Sequence, residues 1–193
     1  MLMKEVTPAT QTPIPLRELG AHLRLGHGFT DDGSEDALLE LYLRNATAIV
    51  EARTSKALIS RVFILQIANW NRRGHLHLPI GPVTVLDRIE LIRPGSTITL
   101  DPAEWTLHPG SARQRVTGPN GGTLRTMPHG ALAEIEFTAG FGETWNDVPN
   151  DLRQAVLLLA SHLYEHRDGE LTLDGGLPNG VAPILARHQP VRL

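Results

Sequence analysis

Apolar positions along this chain change their spacing twice. Between Ile14 and Arg53 the spacing is helical. Pro15 suits a first helical turn, where its missing N–H costs nothing. Leu16, Leu19 and Leu23 then recur at i, i+3 and i+7, which predicts a short amphipathic helix ending near Gly26. A polar loop runs from Gly26 to Gly33. Asp32 followed by Glu35 has the form of a capping box with Asp as the cap. Beyond it Leu38, Leu41, Tyr42, Asn45, Ala48, Ile49 and Ala52 mark one face of a helix of about five turns. Asn45 is the single polar residue in that stripe, and it reads as a packing or interface residue.

From Arg61 to Phe137 the spacing becomes strand-like. Val62, Ile64 and Ile67 open it, His75-Leu76-His77-Leu78 alternates, and Val83, Val85, Ile89, Leu91 and Ile98 are β-branched or apolar. Trp105 with Leu107, and Leu132 with Ile135 to Phe137, alternate again. Pro94-Gly95, Pro109-Gly110 and Gly121-Gly122 punctuate these runs, as in an antiparallel meander or small sandwich. Helical spacing returns at Asp147 to His166. Pro149 starts it, Leu152, Ala155, Val156, Leu159, Ala160 and Leu163 form its core stripe, and Gly169 is placed to cap it. Leu157 and Leu158 lie off that stripe, so the helix is apolar on most sides and is expected to be buried on most sides. Leu171 to Leu193 has no period and reads as an extended tail.

The expected fold is α+β. Residues 14–56 and 147–169 form a helical core, 61–140 an inserted antiparallel β-region, and 171–193 an extended C-terminal tail.

Composition narrows the field. At 193 residues, with 41% apolar and 20% charged, the chain has the make-up of a globular protein able to bury a core without staples. It has no cysteine, so disulfides, thiolate metal sites and thiol nucleophiles are excluded. A net charge of −3 argues against a protein that coats nucleic acid. No apolar run is long enough to span a membrane, and Met1 to Pro13 lacks the pattern of a secretory signal.

Candidate chemistry is sparse. His162-Leu163-Tyr164-Glu165-His166 spells H-x-x-E-H on a helix, in which the two His could chelate zinc with Glu165 as base. The nearest downstream carboxylates, Asp168, Glu170 and Asp174, lie outside any second helix, and His near a helix C-terminus is favoured by the dipole alone. His75 and His77 share a strand face without an evident third ligand. No serine sits in a Gly-x-Ser-x-Gly elbow, and no phosphate-binding glycine loop occurs. Arg72, Arg73, Arg113, Arg115 and Arg125 put positive charge in the turns of the β-region. No catalytic residue, metal or cofactor is expected.

Several words in this order resemble the head–tail connector (adaptor) family of tailed phages and phage-derived gene transfer agents. They are Pro15-Leu16-Arg17-Glu18 running to His22-Leu23-Arg24, Asp36-Ala37-Leu38-Leu39, and Leu78-Pro79-Ile80-Gly81-Pro82-Val83. Phe137-Thr138-Ala139-Gly140-Phe141-Gly142 follows, then Val148-Pro149-Asn150-Asp151-Leu152-Arg153-Gln154-Ala155 running on to His166-Arg167. The last is Leu177-Pro178-Asn179-Gly180-Val181 with Leu185 to Leu193. The resemblance covers most of the chain and implies a non-enzymatic ring, commonly of twelve copies, beneath a portal protein. Such a ring extends the DNA channel without sequence-specific binding and offers a platform to a further neck or tail protein of stopper or tail-terminator type. The protein would be made in the bacterial cytoplasm and built into the particle's neck. The resemblance further implies that Val181, Ile184, Leu185, Val191 and Leu193 anchor the tail in apolar grooves of the portal or a neighbour, with Arg187 and Arg192 pairing acidic groups. Leu38, Leu41, Tyr42, Asn45, Leu157 and Leu158 would serve the subunit interface or the core. Two other readings compete: a small metal-dependent hydrolase using His162, Glu165 and His166, and a monomeric ligand-binding module.

Overall fold

The computed structural model describes residues 1–6, 16–24, 35–109, 114–166 and 177–189. Its described residues fall into two compact units, a helical one within Thr10–Ile59 and Phe141–Pro190 and a β unit within Met1–Ala9 and Ser60–Gly140.

The helical unit holds α1 (Leu16–His22), α2 (Asp36–Thr54), α3 (Asn150–Glu165) and α4 (Val181–His188). Its core gathers Leu19 from α1, Leu39, Leu43, Ala46 and Val50 from α2, six residues of α3 from Leu152 to Leu163, and Val181 and Leu185 from α4. The six are Leu152, Ala155, Val156, Leu159, Ala160 and Leu163, the stripe read from the sequence. Each fully buried leucine contributes about 1.5–3 kcal/mol of transfer free energy. Glu51 closes the turn after α2 by accepting the Leu58 N–H at 2.7 Å.

Three sequence expectations for this unit need correction. The buried face of α2 is Leu39, Leu43, Ala46, Val50 and Thr54, one position round from the expected stripe. Glu35 occupies the N-cap of α2 with no side-chain cap bond and accepts the Tyr164 hydroxyl at 3.0 Å instead. Asp32 and Gly169 lie outside the described residues. The expected extended tail contains a helix, α4. Pro183 falls in its first turn, where proline is tolerated, and Val181 and Leu185 drop one helical turn apart into the core.

The β unit contains two antiparallel sheets. The larger has the order β1 (Leu2–Glu5), β2 (Arg61–Ile67), β8 (Leu132–Ala139), β4 (Val83–Arg93) and β5 (Ser96–Thr99). The smaller pairs β3 (Leu76–His77), β7 (Arg115–Thr117) and β6 (Thr106–His108). Strand alternation gives the large sheet an inner face of buried Phe63, Leu65, Ile135, Phe137, Ile89 and Leu91. Its outer face carries Ile64, Gln66, Glu134, Glu136, Arg88 and Glu90, paired by register. The Phe63 and Phe137 rings stack at 5.7 Å. β4 has register shifts between Val83 and Val85 and between Leu86 and Arg88, bulges that bend it along the edge of β8. Pro94-Gly95 turns β4 into β5, with Gly95 at φ 77, a value open to glycine. At the end of β8, Gly140 sits at φ 146 and donates its N–H to the Pro82 carbonyl. The next residue, Phe141, donates to Leu58 of the helical unit, so the Thr-Ala-Gly-Phe-Gly word is where the chain leaves the β unit. β1 was not expected from the sequence.

Candidate assembly surfaces

On α2 the row Leu38, Leu41 and Asn45 turns away from the core. Leu41 is 50% exposed, Asn45 is exposed and Leu38 is half-buried. Tyr42 is half-buried and meets Tyr164 of α3 edge-to-face at 5.8 Å. With the Tyr164–Glu35 bond, this aromatic contact ties the start of α2 to the end of α3. Leu157 and Leu158 of α3 are half-buried and pack against the core cluster.

On α4, Val181 and Leu185 are buried in their own unit and Ile184 packs against it. The two apolar anchors are thus consumed inside the chain, because the helix places them together on its inward side. Arg187 is exposed and reaches Asp151 of α3 at 3.5 Å. His188 Nε2 donates to the same Asp151 carboxylate at 2.8 Å. Burial pushes the Asp151 carboxyl up, but the His188 bond and charge, the Leu152 N–H and the Arg187 charge outweigh it and hold the group below its usual range. Val191, Arg192 and Leu193 lie outside the described residues.

The histidine motif forms no metal centre among the described residues, where no group of three potential ligands comes together. The His162 and His166 rings lie 4.1 Å apart, tilted by 35°. His166 donates its backbone N–H to the His162 carbonyl and closes α3 as its C-cap. His166 therefore closes α3 on the His162 backbone carbonyl, while Asp168, Glu170 and Asp174 lie outside the described residues. On β3, His77 is exposed between buried Leu76 and Leu78, as a strand with one wet face requires.

The β unit has an open cleft of about 500 Å³ between the 69–74 loop and residues 123–127. Asn71 builds the loop: its side-chain oxygen accepts the N–H groups of Arg73 and His75, both at 2.9 Å. Arg72 and Arg73 line the cleft with Trp70 and Met127, and the lining has no carboxylate, histidine or serine. Thr123 and Thr126 supply its hydroxyls, and the lining places no histidine or carboxylate beside them as a general base. Of the other expected basic residues, Arg125 pairs Glu104 at 3.3 Å, Arg115 is exposed on β7, and Arg113 lies outside the described residues.

Sequence reasoning missed two surface features. Arg88 on the outer face bonds Glu136 at 2.7 Å, and that bond, with the charges of Glu90 and Glu136, raises its pKa further. β1 leaves Leu2 and Met3 exposed, as are Met1 and Val6 at its two ends. Its signal is only Met1-Leu2-Met3 and Val6 around the charged Lys4-Glu5, and its partner is a strand about sixty residues away that no local pattern reveals.

No protein-family model and no curated protein matches the chain. Solved structures do. A chain from the neck of an empty gene transfer agent particle, computed with C6 symmetry, is 43% identical with a TM-score of 0.88. A chain from the virion of a native gene transfer agent particle is 42% identical with a TM-score of 0.86. One from the neck of the native particle, computed with C12 symmetry, is 38% identical with a TM-score of 0.83. Each comparison covers 100% of this chain and 97% of the other. Similarity of this order along the whole length of both chains defines a virion structural protein of the neck class. The chain belongs to the head–tail connector family of tailed phages and phage-derived gene transfer agents.

Proposed function

We propose that the chain is an adaptor subunit that forms a ring beneath the portal protein in the neck of a gene transfer agent or phage particle. The observation carrying this reading is full-length identity of 38–43% to chains of gene transfer agent particles, two of them from neck structures computed with six- or twelve-fold symmetry. The ring extends the DNA channel and offers its far side to the next neck or tail protein. A net charge of −3 suits a conduit, since DNA phosphates are repelled by it and slide without sequence-specific capture.

Within this reading, the outward row of α2 with Leu41 faces a neighbouring copy. Arg187 on the exposed side of α4, with Val191, Arg192 and Leu193 after it, contacts the portal. Val181 and Leu185 hold α4 in place and so present those residues. The role is structural: the surfaces carry the function, and no catalytic step is assigned.

The test is co-migration of the purified chain with its portal on gel filtration. The full chain is expected to shift into a portal-sized complex. A truncation after Gln189 should stay folded, because it keeps α4, and lose portal binding. A truncated chain that binds the portal as well as the full one would overturn the tail assignment.

A further inference from the structure

β1 leaves large apolar side chains in water on both faces of its sheet. Met3 lies in the inner-face row of Leu65, while Leu2 lies in the outer-face row of Gln66. Leu2 is 64% exposed and Met1 81%. Among the described residues β1 pairs only with β2 and β5 only with β4, so this sheet ends in two open edges.

The ladders show which backbone groups those edges offer. Val6 donates its N–H to the Val62 carbonyl, so by antiparallel alternation Lys4 and Leu2 also bond to β2, and Met3 and Glu5 direct their N–H and C=O outward. Leu100 donates to the Ile89 carbonyl, and the same alternation turns the backbone groups of Thr97 and Thr99 outward from β5. Every neighbouring pair in the sheet is antiparallel, so β1 and β5 run in the same direction.

We infer that β1 of each copy adds to the open edge of β5 in the adjacent copy as a parallel strand. This rests on the ring reading above and specifies one of its contacts. A register with Met3 opposite Ile98 lets Met3 donate to the Thr97 carbonyl and accept from the Thr99 N–H, the pairing a parallel ladder requires. The same register continues both faces. Met3 falls beside Ile98 on the inner face, and Leu2 and Lys4 fall beside Thr97 and Thr99 on the outer one. Lys4 then lies diagonally from exposed Asp101, the carboxylate just past β5, so opposite charges meet. β5 carries none of the charges, prolines or bulges that protect open edges. A contact between two different edges is heterologous and builds a ring when its rotation closes, which selects a second copy as the occupant.

The chain has no cysteine, so introduced thiols report cleanly. The full chain carrying Leu2→Cys with Thr97→Cys, assembled on portal and mildly oxidised, is expected to run as a ladder of linked copies on a non-reducing gel. Either cysteine alone should give no ladder. Met3→Pro removes an outward N–H without breaking a β1–β2 bond, and Thr97→Pro does the same for β5. Each should lower ring yield roughly tenfold, about 1.4 kcal/mol, while the free subunit's melting temperature holds. Should a proline variant fail to fold, the thiol ladder decides. Rings at wild-type yield from both proline variants, or rings of the double-cysteine chain without a ladder, would overturn the strand pairing and leave the ring reading standing. A wild-type chain that forms no ring on portal would overturn both.

Discussion

Asp151 is where α4 is tied to α3, through His188 at 2.8 Å and Arg187 at 3.5 Å. Asp151→Asn is expected to cost about 1 kcal/mol in urea unfolding, a charge-assisted bond reduced by solvent screening. Its carboxyl is held below its usual range when folded, so its contribution is complete above the unfolded value of about 3.9 and is lost as pH falls through the folded one. The gap in melting temperature between wild type and Asp151→Asn should therefore be full near neutrality and close in acid below that value. A gap that widened in acid would contradict the sign. The histidine pair gives a complementary residue-scale test. Replacing His162 and His166 by Ala should leave portal binding and ring formation intact, since the bond that closes α3 runs from the backbone N–H of residue 166 to the backbone carbonyl of residue 162. Loss of assembly with the fold preserved would show that they do more.

Among the elements, α3 was legible in the sequence and α2 only partly so. The stripe of α3 has one register, because Leu157 and Leu158, which lie off it, have polar Arg153, Gln154, Ser161 and His162 four residues away and so start no second stripe. α2 carries doublets, Leu38-Leu39 and Ile49-Val50, that fit two adjacent faces, and only packing against α3 and α4 decides between them. α4 escaped because it is short and its proline reads as a break, whereas in a first turn proline is harmless. β1 escaped because its partner is distant in sequence. The site followed the same pattern: residue types and chain order pointed to the family, but which side chains stay outside depends on the register of each helix. Two substitutions separate inside from outside. Leu185→Ala should destabilise the subunit by about 2–5 kcal/mol in urea unfolding. Leu41→Ala should change stability by less than about 0.5 kcal/mol yet weaken ring formation on portal.

For the whole molecule, we propose that a helical unit and a β unit give each copy surfaces for its sisters around an axis and for the portal. Full-length similarity to chains of gene transfer agent necks supports that proposal. The most direct measurement is electron microscopy of the purified chain mixed with its portal. The account predicts class averages with a ring of copies stacked coaxially on one end of the portal. Portals that stay bare, with the chain remaining monomeric at assembly concentrations, would contradict it.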